Sequence, residues 1–142
     1  LSGIVQLLYR ENRYIDILLQ EYIKTDYDVR VVILDDKILG SVKREVISDN
    51  DFRSNISLGA EATNIELTEI EKKDSMTAAK AVAGRLVGVD FIPAKNREKE
   101  QPYILEVNSM PGFGGIEKLK KGLVKEILEH FKDRNNWRTD ND

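Results

Sequence analysis

Apolar and polar positions alternate in blocks along the chain, and the blocks predict its elements. Ile4 to Leu8 is an apolar stretch that reads as a short strand or the start of a helix, and Glu11 to Asp16 is a polar turn or short helix. Ile17 to Ile23 is a compact apolar run of strand length, read as a buried strand. Asp28 to Leu34 and Ile38 to Ile47 are rich in β-branched residues and flank Asp35-Asp36-Lys37. Two such runs around a short acidic turn predict an antiparallel hairpin. Ser48 to Ala60 is polar with few apolar residues, a long loop of the kind that often carries function.

The second half is more helical. Thr68-Glu69-Ile70-Glu71 is a capping box, in which the Thr68 hydroxyl and the Glu71 carboxylate each satisfy a backbone N–H of the first turn. The helix it starts carries Ile70, Ala78, Ala79, Val82 and Ala83, and Gly84 is the expected left-handed stop. Leu86 to Ile92 and Tyr103 to Asn108 predict a strand pair around the charged loop Pro93 to Pro102. After Pro111 and three glycines, Ile116 to Phe131 has helical periodicity through Leu119, Leu123, Val124, Ile127, Leu128 and Phe131. Residues 135–142 form a polar tail. The order of elements predicts an α+β fold, a mostly antiparallel sheet with helices packed on one face.

Composition narrows the chemistry. The 142 residues include no Cys, which excludes disulfides, thiolate metal sites and cysteine nucleophiles. A net charge of −3 gives no electrostatic case for nucleic acid or an anionic membrane. No apolar run approaches the roughly 18 residues that span a bilayer, and no signal peptide is visible, so a cytoplasmic location is expected. The lone His130, near the end of the last helix, reads as a solvated or capping residue. No serine has an evident His partner, and neither a Walker phosphate loop nor a G-x-G-x-x-G fingerprint occurs. Pro111-Gly112-Phe113-Gly114-Gly115 before the last helix permits close backbone approach, a weak signal by itself.

The sharpest local feature is Glu106-Val107-Asn108. On a strand, Glu106 and Asn108 point to one side and Val107 to the other. Asp90, between Val89 and Phe91 on the preceding strand, could be brought beside them by pairing. Two carboxylates and an amide oxygen make a hard, all-oxygen donor set suited to Mg²⁺ or Mn²⁺ and not to zinc. The competing reading is a pair of strand-end carboxylates held by backbone amides or solvent. Arg30 lies among apolar neighbours on the first hairpin strand and Arg44 lies on the second, so the two could share a surface. Guanidinium forks match phosphate and carboxylate oxygens, whereas Lys43 reads as surface charge.

Taken in order, Gln20-Glu21-Tyr22-Ile23, Asp28-Val29-Arg30-Val31, Asp51-Phe52-Arg53-Ser54-Asn55, Gly88-Val89-Asp90 and Leu105-Glu106-Val107-Asn108-Ser109-Met110-Pro111-Gly112 resemble a known family. They look like the C-terminal part of the ATP-grasp domain of RimK-like ligases, a group that includes the ribosomal-protein glutamate ligase. The resemblance covers about Leu18 to Leu128. It implies that Glu21, Tyr22 and Ile23 form a hinge holding adenine and that Asp28 contacts the nucleotide at the ribose. It further implies that Arg30 and Arg44 are catalytic basic residues near the phosphates and the acyl group, and that Arg53, Ser54 and Asn55 belong to a nucleotide and phosphate loop. Asp90, Glu106 and Asn108 match the metal ligands, with Glu106 bridging two Mg²⁺ or Mn²⁺ ions. Ser109 to Gly115 matches the turn beside the acceptor site. Glu45 departs from the pattern, standing where many relatives carry a second basic residue.

The implied function is ATP-dependent carboxylate–amine ligation through an acyl phosphate, with ADP and phosphate released. The implied partners are ATP, a carboxylate from a small molecule or a protein C-terminus, and an amino-acid amine such as glutamate. The group often forms dimers or tetramers, so a homo-oligomer is implied as well. Residues 1–134 are expected to be the C-terminal lobe of a two-lobed ATP-grasp domain. The start at Leu1, without Met, fits an origin inside a longer protein whose other lobe lies upstream, and little ligase activity is expected of these residues alone. The alternative is a non-catalytic nucleotide- or protein-binding module that retains an ATP-grasp lobe. Upstream lysines and a glycine loop would favour the enzyme.

Overall fold

The computed structural model describes residues 2–11, 14, 16, 18, 20–45, 62–112, 114–133 and 136. Among these are β1 (Tyr27–Leu34), β2 (Lys37–Glu45), β3 (Ala62–Asn64), β4 (Leu86–Ile92) and β5 (Tyr103–Asn108). The helices are α1 (Ser2–Glu11), α2 (Glu69–Ala81), α3 (Gly114–Leu119) and α4 (Leu123–Lys132). The strands form one antiparallel sheet in the order β3-β2-β1-β4-β5. The predicted hairpin and the predicted pair β4–β5 are both present. No described helix is long and apolar enough to cross a membrane.

The central strand β1 reads Tyr-Asp-Val-Arg-Val-Val-Ile-Leu, and its two faces differ. On one face Val29, Val31 and Ile33 join Val87, Val89 and Phe91 of β4 in a core that includes Ala79 of α2 and Leu67 just before that helix. On the other face Val32 and Leu34 pack with Leu39 and Val42 of β2 against Ile116 of α3 and Leu123 and Ile127 of α4. The helices therefore cover both faces, which corrects the expectation of one. The physical reason lies in the second half of β1, where four consecutive apolar residues point alternately to both sides, and each side must be removed from water. Toward the other end of that second face stand Asp28 and Arg30, which belong to neither apolar cluster.

The capping box forms as predicted. The Glu71 N–H donates to Thr68 Oγ1 at 3.2 Å, and the Thr68 N–H donates to Glu71 Oε2 at 3.0 Å. Glu71 is buried, and Arg97 from the β4–β5 loop closes a fork on both its oxygens at 2.8 and 2.7 Å. At the other end of α2 the left-handed residue is Ala83, with φ 51°, and not Gly84. Gly84 supplies space instead, since a Cβ there would lie 2.2 Å from Val87 Cγ1.

Ile4 to Leu8 belongs to helix α1, the second of the two readings it allowed. Other expectations are revised. In the expected strand 17–23, the described residues Leu18 and 20–23 take no regular structure, and Leu18 and Tyr22 are exposed. A short apolar run does not specify a strand unless another strand pairs with it, and none of the described strands does. The single helix expected from Ile116 to Phe131 is two, because Gly122 at φ 93° breaks the ladder in a conformation that only glycine adopts cheaply. The short strand β3 was not anticipated. The loop 48–60 and most of the tail lie outside the described residues.

Candidate functional site

One end of the sheet gathers the charged residues singled out in the sequence. Strand register places Arg30 opposite Asp90, Asp90 opposite Glu106, Gly88 opposite Asn108 and Asp28 opposite Arg44. All of these side chains rise from one face, because alternate strand positions point the same way.

Two β-bulges create this alignment. Outward from the hairpin turn, Leu34 faces Lys37 and Ile33 faces Ile38, but Val32 faces Gly40. The extra residue in β2 brings Arg44 opposite Asp28, where an unbroken ladder would have brought Lys43. Likewise Ile92 faces Tyr103 and Phe91 faces Ile104, but Asp90 faces Glu106. An unbroken ladder would have set Leu105 there. A one-residue slip exchanges the faces of a strand, so each bulge decides whether a charged group reaches the site.

The side chains form one network. Arg30 donates from Nε to Asp90 Oδ1 at 2.7 Å and from Nη2 to Oδ2 at 2.5 Å. Its Nη1 donates to the Gly112 carbonyl at 3.3 Å, and its Nη2 lies 3.8 Å from Glu106 Oε1. Arg44 closes a second fork on Asp28 at 2.6 and 2.7 Å, with its Nη2 3.2 Å from Asp90 Oδ2. Asn108 Nδ2 donates to Glu106 Oε1 at 2.8 Å. Asp28, Arg44 and Asp90 are buried, whereas the Glu106 side chain is 58% exposed.

The electrostatics follow from this geometry. Burial pushes the Asp90 carboxyl up, but the Arg30 hydrogen bonds and the charges of Arg44 and Arg30 outweigh it, so its pKa falls below the ordinary value. The Asp90 hydrogen bond raises the Arg30 pKa in turn, against the opposing effect of burial. Three carboxylates and two guanidiniums leave the cluster with an excess negative charge. A polyphosphate would be repelled by that excess unless a cation accompanied it.

A turn of the chain lies over this site. Pro111 is buried against Gly88, and a Cβ on Gly88 would stand 2.8 Å from Pro111 Cβ. The absent side chain of Gly88 is what lets the 109–112 turn lie on β4, and the Gly112 carbonyl then receives Arg30. Sequence reasoning noticed this turn but not the Arg30 contact, and it did not see that Asp28 and Arg44 are mutual partners. The hairpin spacing was the available signal, but the bulge hid the pairing.

The remaining candidates are more dispersed. Glu21 and Tyr22 are exposed and Ile23 is half-buried, all in the irregular segment that leads into β1. Among the described residues, none of the three is joined to the Arg30–Asp90 cluster by a hydrogen bond or ion pair. Arg53, Ser54 and Asn55 lie outside the described residues. Among the described residues no three His, Cys, Asp or Glu side chains converge as a metal cage. The Asn108 amide stands beside Glu106, and its oxygen would complete a hard donor set with the Asp90 and Glu106 carboxylates. By donor chemistry these residues fit Mg²⁺ or Mn²⁺.

His130 is neither solvated nor a cap. Its Nε2 lies 2.7 Å from Asp35 Oδ2, Arg85 forks the same carboxylate at 2.7 Å on each oxygen, and Asn136 donates to the His130 carbonyl at 2.9 Å. This cluster ties the β1–β2 turn, the start of β4 and the end of α4 together at the other end of the sheet.

Comparison with known proteins agrees with this fold. A protein from Photobacterium profundum named "Probable alpha-L-glutamate ligase" is 37% identical over 119 residues, 82% of this chain and 38% of that protein. The chain thus spans well under half the length of this relative. Among solved structures, the ATP-grasp ligase PsnB, complexed with a variant of its minimal precursor, Mg and ADP, is 25% identical. It matches with a TM-score of 0.51 over 68% of this chain and 28% of that one. D-alanine–D-alanine ligase from Bacillus anthracis, complexed with ATP, is 21% identical with a TM-score of 0.61 over 90% of this chain and 45% of that one, a likeness of fold. The model of the RimK-like ATP-grasp domain matches residues 4–131, and the chain belongs to that family.

Proposed function

We propose that this chain is the C-terminal catalytic lobe of an ATP-dependent carboxylate–amine ligase that forms an amide through an acyl phosphate. The observation that carries the reading is the row Glu106–Asp90–Arg30 with Arg44 behind it, on one face of the sheet. A hard-metal donor set beside paired guanidiniums suits phosphoryl chemistry and needs no protein nucleophile.

In the first step a substrate carboxylate oxygen bonds to the γ-phosphorus of ATP, and the bond from that phosphorus to the β-bridging oxygen breaks to release ADP. In the second an amine nitrogen bonds to the carbonyl carbon, the bond from that carbon to the bridging phosphate oxygen breaks, phosphate leaves and the nitrogen loses a proton. Asp90, Glu106 and Asn108 would hold Mg²⁺ or Mn²⁺, two ions in the fullest arrangement, which when bound offset the charge of the phosphate oxygens. Arg44, pinned by Asp28, is a fixed positive charge at the floor of the site. Arg30, nearer the rim, reaches the transferred phosphoryl group and the acyl oxygen. Asp28 acts by holding Arg44, and any ribose contact is secondary to that. Glu21, Tyr22 and Ile23 hold adenine in this reading, and Arg53, Ser54 and Asn55 contribute to the phosphate loop.

Relatives at 34–41% identity carry the name "Probable alpha-L-glutamate ligase", which supports glutamate as the amine. The Mg and ADP bound by PsnB support the cofactor reading. The test is phosphate release by the full-length protein with ATP, Mg²⁺, glutamate and a panel of carboxylates, including peptide C-termini. Release that requires both carboxylate and amine is expected, and release indifferent to both would sink the proposal.

A further inference from the structure

Arg30 and Arg44 are held in different ways, and the difference has a functional meaning. Arg44 is buried, with Nε and Nη2 both committed to Asp28. Arg30 is 18% exposed, and apart from Asp90 it is held by a 3.3 Å bond to the Gly112 carbonyl and a 3.8 Å approach to Glu106. Its fork occupies both oxygens of Asp90. Asp90 is itself nearly inaccessible, with its side chain 3% exposed.

We propose that Arg30 is an internal counter-ion that closes Asp90 to a free divalent cation and yields it when the cation arrives with a polyphosphate. This rests on the reading of Asp90 as a metal ligand. A cation that reached Asp90 alone would have to displace the Arg30 fork or sit among two guanidiniums, and like charges at that distance in a half-buried site repel strongly. It would also turn a net-negative cluster net-positive with nothing to balance it. A nucleotide polyphosphate changes both conditions. Its oxygens supply the counter-charge, and they offer the Arg30 fork an alternative pair of anionic oxygens at matching spacing. Arg30 can move to it because its other contacts lie on the rim, whereas Arg44 stays.

The consequence is a coupling between metal and nucleotide that resides in one side chain. By linkage the nucleotide raises metal affinity by the same factor as the metal raises nucleotide affinity. In the absence of both, Arg30 spares the protein an uncompensated buried carboxylate.

The test measures Mn²⁺ affinity directly, by electron paramagnetic resonance of free Mn²⁺, for this chain with and without ADP. Arg30→Met should bind Mn²⁺ alone at least about tenfold more tightly than the unmodified chain, a factor within the usual range of site coupling. It should also show a smaller gain on adding ADP. Adding Asp90→Asn to Arg30→Met should abolish the gain. Arg30→Lys, which cannot span both oxygens, should fall between the two, and it decides the matter if the Met variant does not fold. Equal Mn²⁺ affinities for the unmodified chain and the Arg30 variants, all lost on Asp90→Asn, would overturn the counter-ion role while leaving the metal site intact. Mn²⁺ binding indifferent to Asp90→Asn, or absent throughout, would overturn the metal site and the counter-ion role together.

Discussion

Arg44 and Asp28 face each other across β1 and β2 as a buried bidentate pair, with N···O distances of 2.6 and 2.7 Å. Neither charge has water to fall back on. Removing one partner of a buried pair typically costs about 3–5 kcal/mol, whereas replacing both by apolar groups is often near neutral. Arg44→Met should therefore destabilise the chain by about that amount, and Arg44→Met with Asp28→Leu should recover most of it. Urea unfolding of the two single variants and the double variant gives the coupling. Strictly additive losses would contradict the pairing.

Glu106 and Asn108 should behave oppositely. They stand on the edge strand with the Glu106 side chain largely in solvent, so Glu106→Gln and Asn108→Ala should shift stability by no more than about 0.5 kcal/mol. In full-length protein the same variants should lower ligase turnover by at least about tenfold, as loss of a metal ligand or its support does. Large destabilisation with unchanged turnover would mark them as structural.

The capping box makes a plain stability prediction. Thr68→Ala deletes the acceptor for the Glu71 N–H and should cost about 1 kcal/mol. A thermal melt of the variant measures this. No loss would mean that the Arg97–Glu71 fork holds the helix start by itself.

Asp35 links stability to pH. The Arg85 hydrogen bonds hold its carboxyl below the usual value, with burial opposing and His130 adding to the depression. A carboxyl depressed on folding contributes stability that is complete above its unfolded pKa, about 3.9, and is lost as pH falls through the folded value. Asp35→Asn keeps a residue type that tolerates the φ of 50° at this position and removes only the charge. Its melting temperature should lie below that of the unmodified chain at neutral pH, with the gap narrowing below about pH 4. A gap independent of pH would argue against the ion pair.

Much of this molecule is legible in its sequence. The block Asp28 to Leu34 carries β-branched residues at strand spacing, and the capping box states where α2 begins, because both signals are local. The same block also shows why the site lies where it does. Asp28 and Arg30 share a face with Val32 and Leu34, so one face is polar at one end and apolar at the other. Segments whose structure depends on partners were misread. Ile17 to Ile23 has the composition of a strand without a strand to pair with, and the last helix is divided by one glycine. His130 looked incidental because Asp35 and Arg85 are distant in sequence.

What the sequence determined by itself is the inventory: carboxylates, an amide and arginines on strands, in an order that resembles one family. What only the tertiary structure decided is which of them meet. Two bulges, one in β2 and one in β5, bring Arg44 onto Asp28 and Glu106 onto Asp90. Strand alternation has a period of two, so a single extra residue moves a side chain from one face to the other. No local pattern records that choice. It is made in the folded chain, where helices pack on the apolar positions of each face and the charged ones meet one another.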